Sequence, residues 1–228
     1  MRVVANRTET PTTRILRLAL DDQPFDYKSG QAAWIGVDPA GELTPYSIAS
    51  APEETARTGL LEFLVKVDGS TRFGTQVTGL RRGAAVHVRG PAGSFTFPDR
   101  PAERHFLFVA GGTGIAPLRS MIRHIVDARV GGSIALLYSA RTPQEFAYGR
   151  ELRAMAKAGT LRLIQTVTGA VSRWRDARGR ASAELIRRLL PDAETLCFVC
   201  GPPGLVAVVT DTLKQDGIAP ERIRRESW

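Results

Sequence analysis

The residues with most chemistry to offer form a glycine turn, Gly111-Gly112-Thr113-Gly114-Ile115-Ala116-Pro117, between an apolar run and a helical stretch. Glycine lets backbone N–H groups approach an anion closely, and a helix amino terminus adds partial positive charge, so a pyrophosphate suits the turn. It matches neither G-x-G-x-x-G nor the P-loop, because Pro117 takes the third small position and no Lys-Ser/Thr pair follows. A tight βα turn without a ligand uses the same glycines; the place of this one, after the first strand of an α/β half, favours nucleotide binding through Gly112, Thr113 and Gly114. The next strand ends in Leu137-Tyr138-Ser139-Ala140-Arg141. Strand carboxyl ends flank the ligand crevice of an open α/β sheet, where the Ser139 hydroxyl and Arg141 guanidinium suit a phosphorylated ribose. Arg173 and Arg180, in the arginine-rich loop Ser172–Ala181, can add to that grip; read singly, each arginine is solvated surface. Metal chemistry has little to draw on. Cys197 and Cys200 cannot by themselves make a four-ligand zinc site or a disulfide framework, and His87, His105 and His124 are widely separated.

Two kinds of element must position these residues. Arg14–Leu20 alternates with period two, and further short strands are expected at Gln31–Val37, Tyr46–Ala49, Leu60–Val67 and Ala85–Arg89, each bounded by Gly, Pro or Asp. Such spacing suggests an antiparallel β-barrel, closed or nearly so. A linker follows at Phe97–Ala102, dividing the chain into residues 1–100 and 101–228. His105–Ala110 then reads as a strand buried on both faces. Strands at Ser133–Tyr138, Leu161–Val167 and Leu196–Val199 alternate with helices at Leu118–Ala128, Ala147–Ala158, Ser182–Leu190 and Leu205–Asp216, the pattern of a parallel sheet covered by helices.

At 43% apolar and 24% charged residues, the 228-residue chain is globular rather than disordered. No apolar run approaches the roughly 18 residues that span a bilayer, and the first residues show no secretory h-region, so a cytoplasmic protein without a membrane partner is expected. The net charge of +8 is lopsided: residues 1–100 carry 12 Lys/Arg against 11 Asp/Glu, the rest 19 against 12. An excess of +7 in the second half fits phosphate recognition or an acidic protein partner, and equally a solvated arginine surface. Nucleic acid is not expected as a partner, since there is no basic reading helix, finger spacing or RNP-like aromatic pattern.

Several motifs then fall in a familiar order. Thr44-Pro45-Tyr46-Ser47-Ile48-Ala49-Ser50 resembles the R-x-Y-S flavin segment of the ferredoxin–NADP reductase family. Leu64-Val65-Lys66 resembles its next flavin strand, and Gly90-Pro91-Ala92-Gly93-Ser94-Phe95 its G-P-x-G-x-F turn. The glycine turn is similar to the nicotinamide-pyrophosphate loop, Cys200-Gly201-Pro202-Pro203 to the C-G-P-P element, and Glu226-Ser227-Trp228 to the Glu-x-aromatic terminus. The resemblance spans essentially the whole chain and implies a flavin barrel, holding FAD more readily than FMN, followed by an NAD(P)H-binding α/β domain.

By that resemblance Tyr46 stacks on the isoalloxazine and Ser47 hydrogen-bonds near its N5, while Cys200, with Gly201 and Pro202, borders the nicotinamide. Glu226 assists proton and electron exchange, and Trp228 covers the other flavin face until nicotinamide displaces it. The implied reaction is hydride transfer from NAD(P)H in a dry slot, then electron release to a ferredoxin, flavodoxin or oxygenase component. Thr44 departs from the pattern by replacing the phosphate-pairing arginine, and a hydroxyl cannot make a bidentate charged clamp. Arg72, with Gly74 and Thr75 in the loop Asp68–Thr75, is the expected substitute. NADPH is modestly preferred over NADH, because no acidic residue immediately follows Tyr138 to favour a bare ribose diol. Two alternatives are a reductase of free flavin and a non-catalytic flavin- or nucleotide-binding subunit.

Overall fold

A computed structural model describes residues 1–21, 23–38 and 41–227. Contacts divide these into two compact units: residues 1–97 with 119–130, and residues 98–118 with 131–227. The first unit contains β1 (Arg2–Thr10), β2 (Thr13–Ala19), β3 (Ala32–Gly36), β4 (Thr44–Ser47), α1 (Pro52–Thr58), β5 (Leu60–Lys66), α2 (Arg72–Gln76) and β6 (His87–Ala92). Two antiparallel sheets, β1-β2-β5 and β4-β3-β6, are joined by the bridges Arg2–Ala85 and Ile48–Phe63, giving the barrel-like form expected of the amino half. The period-two alternation works as the strands require: Leu16 and Leu18, like Leu61, Phe63 and Val65, enter one core with Ile35, Ile48 and Phe73.

The second half of the chain adds β7 (His105–Gly111), α3 (Ile115–Asp127), β8 (Ser133–Ala140), α4 (Gly149–Lys157), β9 (Arg162–Val167), β10 (Ala177–Arg178), α5 (Ala183–Arg187), β11 (Leu196–Gly201), α6 (Pro203–Gln215) and β12 (Ile223–Ser227). Its six strands are parallel, in the order β10-β9-β8-β7-β11-β12. This is the α/β sheet that the alternating pattern predicts. Leu107, Val109, Leu137, Cys197 and Val199 pack with Leu185, Ile186, Val209 and Leu213, whereas Phe108 and Phe198, one residue out of step, stack at 5.2 Å. Burial on both faces explains why these strands read as unbroken apolar runs.

Five elements escape the sequence pattern for identifiable reasons, β10 among them because two residues are too few to show any period. β1 is rich in polar residues because, beyond the bridge at Arg2, it pairs with β2 alone and lies at a sheet edge. β12 is also an edge, paired with β11 alone, and carries Arg224, Arg225 and Glu226 in place of an apolar run. The seven-residue α1 and five-residue α2 are too short to show a helical apolar period. Among the described residues, no helix is long and apolar enough to cross a membrane.

Candidate functional site

In the first unit, β4 sets Tyr46 and Ser47 opposite Ala33 and Ala32 of β3, and Thr44 opposite Ile35. The half-buried Tyr46 ring lies 5.9 Å from Phe73, and its hydroxyl shares a 2.6 Å hydrogen bond with Thr71 Oγ1. Burial raises the Tyr46 pKa against the lowering effect of that bond, so the phenol stays neutral. Thr71 Oγ1 also accepts the Gly74 N–H at 3.0 Å, capping α2. A Cβ on Gly74 would sit 2.3 Å from the Lys66 carbonyl oxygen, so the loop rests directly on the end of β5. Tyr46, Thr71, Gly74 and Lys66 thus come together, with Arg72 exposed in the first turn of α2.

The donors of this loop are already distributed. Gly74 N–H serves the cap, and the exposed Thr75 donates its hydroxyl to Thr71 O at 3.3 Å. Lys66 Nζ lies 2.6 Å from Asp68, whose pKa falls to about 2, chiefly through that hydrogen bond and then through Ser70. Val65 is fully buried in the core, leaving its backbone as the part able to meet a ligand.

The second unit places its glycine turn where the strand order reverses, between β7 and β11, the position at which open α/β sheets take ligands. Gly112 has φ +52°, in the left-handed region. A Cβ on Gly114 would stand 2.3 Å from Cys200 O, so the turn and the Cys200-Gly201-Pro202 element fit together only with glycine there. Cys200 lies beside Glu226 in the β11–β12 register, and its Sγ donates to Glu226 Oε2 at 3.9 Å. Burial, reinforced by Glu226, pushes the thiol pKa up; burial also raises that of Glu226, against the opposing hydrogen bond. The pair is therefore a neutral, 1% exposed thiol facing a carboxyl that binds its proton more firmly than usual. Trp228 lies outside the described residues.

Ser139 is buried at the end of β8 opposite Gly111, and Arg141 follows it, exposed. The Thr168 and Gly169 N–H groups donate to Ala140 O and Arg141 O, tying the loop after β9 to the end of β8. Arg173 and Arg180 are exposed in the arginine-rich loop. Arg178, which the sequence reading passed over, shapes it by donating to Val171 O and Trp174 O. Tyr138 was also passed over, since an aromatic inside an apolar strand reads as packing.

Sequence reasoning further missed how α3 is gripped. Arg119, 6% exposed, donates to Ala49 O at 2.7 Å and to both Glu54 oxygens, at 3.0 and 3.2 Å. Ser120 donates to Ser50 O, and His124 Nδ1 lies 2.8 Å from Glu53 Oε1. These contacts hold the segment immediately after Tyr46 and Ser47. Burial alone would raise Glu54, yet Arg119, the Ala51 N–H and Arg123 bring its pKa below the usual carboxylate value. The Pro52-Glu53-Glu54 sequence, a helix start, was the available signal.

A barrel-like unit with a half-buried aromatic beside a capped loop, followed in the chain by an α/β unit with a glycine turn at its switch point, is the architecture of a two-cofactor oxidoreductase. Residues 1–97 match the oxidoreductase FAD-binding domain, and residues 108–211 the oxidoreductase NAD-binding domain. The chain is 33% identical over 241 aligned positions to a ferredoxin–NADP reductase B of Sorangium cellulosum, covering 100% of this chain and 96% of that one. It is 30% identical to a glycine betaine monooxygenase reductase subunit of Pseudomonas aeruginosa, covering 91% of this chain but only 58% of that longer protein. The fold matches a Neisseria gonorrhoeae ferredoxin NADP+ reductase with bound FAD and NADP, at a TM-score of 0.83 and 19% identity over 99% of this chain and 96% of the other. The chain belongs to the ferredoxin–NADP reductase family of FAD- and NAD(P)-binding oxidoreductases.

Proposed function

We propose that this chain oxidises NAD(P)H, with a modest preference for NADPH, and delivers the electrons through FAD to a separate redox protein. The observation that carries the reading is the glycine turn at the β7–β11 reversal, closed against Cys200-Gly201-Pro202, with Cys200 beside Glu226. The residues present fit both groups. Gly114 seats the glycine turn directly against the end of β11, where open α/β sheets take a nucleotide pyrophosphate, and the half-buried Tyr46 offers a flat partner for a flavin. FAD, when bound, converts two-electron oxidation of NAD(P)H into one-electron delivery.

The protein supplies binding and proton control. Tyr46, Ser47 and the Val65 backbone would hold the flavin ring; Arg72 and the loop through Thr75 would hold its phosphates, taking over the charge that Thr44 lacks. Gly112, Thr113 and Gly114 would hold the nucleotide pyrophosphate, with Ser139, Arg141, Arg173 and Arg180 around the 2′-phosphate. Cys200 keeps its proton on Sγ, directed at Glu226, which would serve as the proton-holding carboxyl.

Two cysteines cannot hold a plant-type iron–sulfur cluster, so the acceptor lies outside these 228 residues. The +7 excess after residue 100 favours an acidic ferredoxin, flavodoxin or oxygenase component, through steering that weakens with salt. One observation favours a second reading, reduction of free flavin: Thr44 replaces an arginine, and Lys66 is already paired with Asp68. The test is gel filtration of FAD-loaded protein followed by assay with ferricyanide. The leading reading expects co-eluting flavin and faster oxidation of NADPH than of NADH; loss of flavin on the column, with activity restored by added flavin, supports the second.

A further inference from the structure

We propose that Tyr138 is a positioning residue for the nucleotide pyrophosphate: from inside the sheet, its hydroxyl fixes the direction in which the glycine turn presents its N–H groups. The inference rests on the nicotinamide-nucleotide reading above and names the residue that orients that site. Tyr138 is fully buried in β8, opposite Ala110 of β7, and its hydroxyl donates to Gly112 O at 3.0 Å. The same carbonyl accepts the Ile115 N–H in the first turn of the following helix. Gly112 O therefore has a helical partner already, and a phenylalanine would fill almost the same space. What the hydroxyl adds is direction.

That direction matters because a trans peptide sets its C=O and N–H on opposite sides. With Gly112 O held by the Tyr138 hydroxyl and the Ile115 N–H, the Thr113 N–H of the same peptide faces away from both. Gly112 sits at φ +52°, and glycine has other conformations open to it, so the Tyr138 hydroxyl adds a second hold to that of the Ile115 N–H. The tyrosine ring gives that hold rigidity. Phe146 meets it edge-on at 4.9 Å and 74°, and Trp174 stacks on Phe146 at 5.5 Å. Trp174 is itself pinned by donating Nε1–H to Ala177 O at 2.9 Å. The hydroxyl thus projects from an anchored aromatic group, which also braces the loop carrying Arg173.

The test is Tyr138→Phe in the full FAD-loaded chain, with calorimetric titration of NADP⁺, ADP-ribose and 2′-AMP. The first two ligands carry a pyrophosphate and the third does not. One lost hydrogen bond corresponds to about a fivefold to tenfold change. NADP⁺ and ADP-ribose are expected to weaken by that factor while 2′-AMP is unchanged, and KM for NADPH to rise alike with kcat within about twofold. Unchanged ADP-ribose affinity, or equal weakening of all three ligands, overturns the proposal. Wild-type protein that binds none of the three overturns the nicotinamide reading and the proposal with it. Should Tyr138→Phe fail to fold, Phe146→Leu keeps the hydroxyl but frees the ring; the same selective loss, about threefold, supports the proposal, and no loss of ADP-ribose affinity contradicts it.

Discussion

In the first unit, the loop at Thr71–Gln76 rests on the end of β5 through Gly74 but is assembled mostly by side chains: Thr71 caps the helix, Tyr46 bonds to Thr71, and Lys66 is neutralised by Asp68. In the second, the turn at Gly112–Gly114 is assembled by backbone, closed against Cys200 O so tightly that no Cβ fits. A site made of side chains can change its charge donor from one position to another, which is the role proposed above for Arg72 in place of Thr44. A site made of backbone has no such freedom, and its sequence stays recognisable.

The sharpest way to break this contrast is Gly114→Ala. Its new Cβ would meet backbone at 2.3 Å, where nothing flexible can yield, at a cost beyond the roughly 3 kcal/mol upper end of ordinary overpacking. Isothermal titration should show NADP⁺ affinity reduced by more than about 100-fold, with FAD retention in the first unit intact. Near-normal nucleotide binding would remove the distinction drawn here.

Next in size is Arg119→Met, which leaves Glu54, and Glu62 at 3.8 Å, without their buried guanidinium. Removing one partner of a buried ion pair costs about 3 kcal/mol, read in the melting temperature. The same cluster predicts acid sensitivity. The Glu54 pKa is lowered on folding, so its contribution is present above the unfolded value of about 4.3 and is lost as pH falls through the folded value. Melting temperature against pH should therefore drop more steeply below pH 4.3 in wild type than in Glu54→Gln; parallel curves would show that the carboxylate is not coupled to folding.

Arg72→Ala has the smallest expected effect. Losing one charge-assisted contact to a phosphate should weaken FAD binding about tenfold, measured by flavin fluorescence on dilution, with nucleotide affinity unchanged. Equal FAD affinity in the variant would mean that the charge missing at Thr44 is supplied elsewhere or not at all.

The same contrast explains what could be read from the sequence. The parallel strands stand out because both faces are buried, and the glycine turn because backbone crowding demands those residues. Tyr46 and Ser47 were recognisable through their motif. The grip of Arg119 on Ala49 and Glu54 joins residues 65 to 70 positions apart, and no local period encodes such a contact. Tyr138 was hidden for the opposite reason: in an apolar strand it reads as packing, and only the closeness of Gly112 O reveals what its hydroxyl does.

The central claim, that one chain joins NAD(P)H oxidation to a bound flavin, is tested most directly by anaerobic titration of the FAD-loaded protein with NADPH, following visible flavin absorbance. The account predicts stoichiometric bleaching, with NADH requiring a higher concentration. Undiminished flavin colour in protein shown by calorimetry to bind both FAD and NADPH would contradict it.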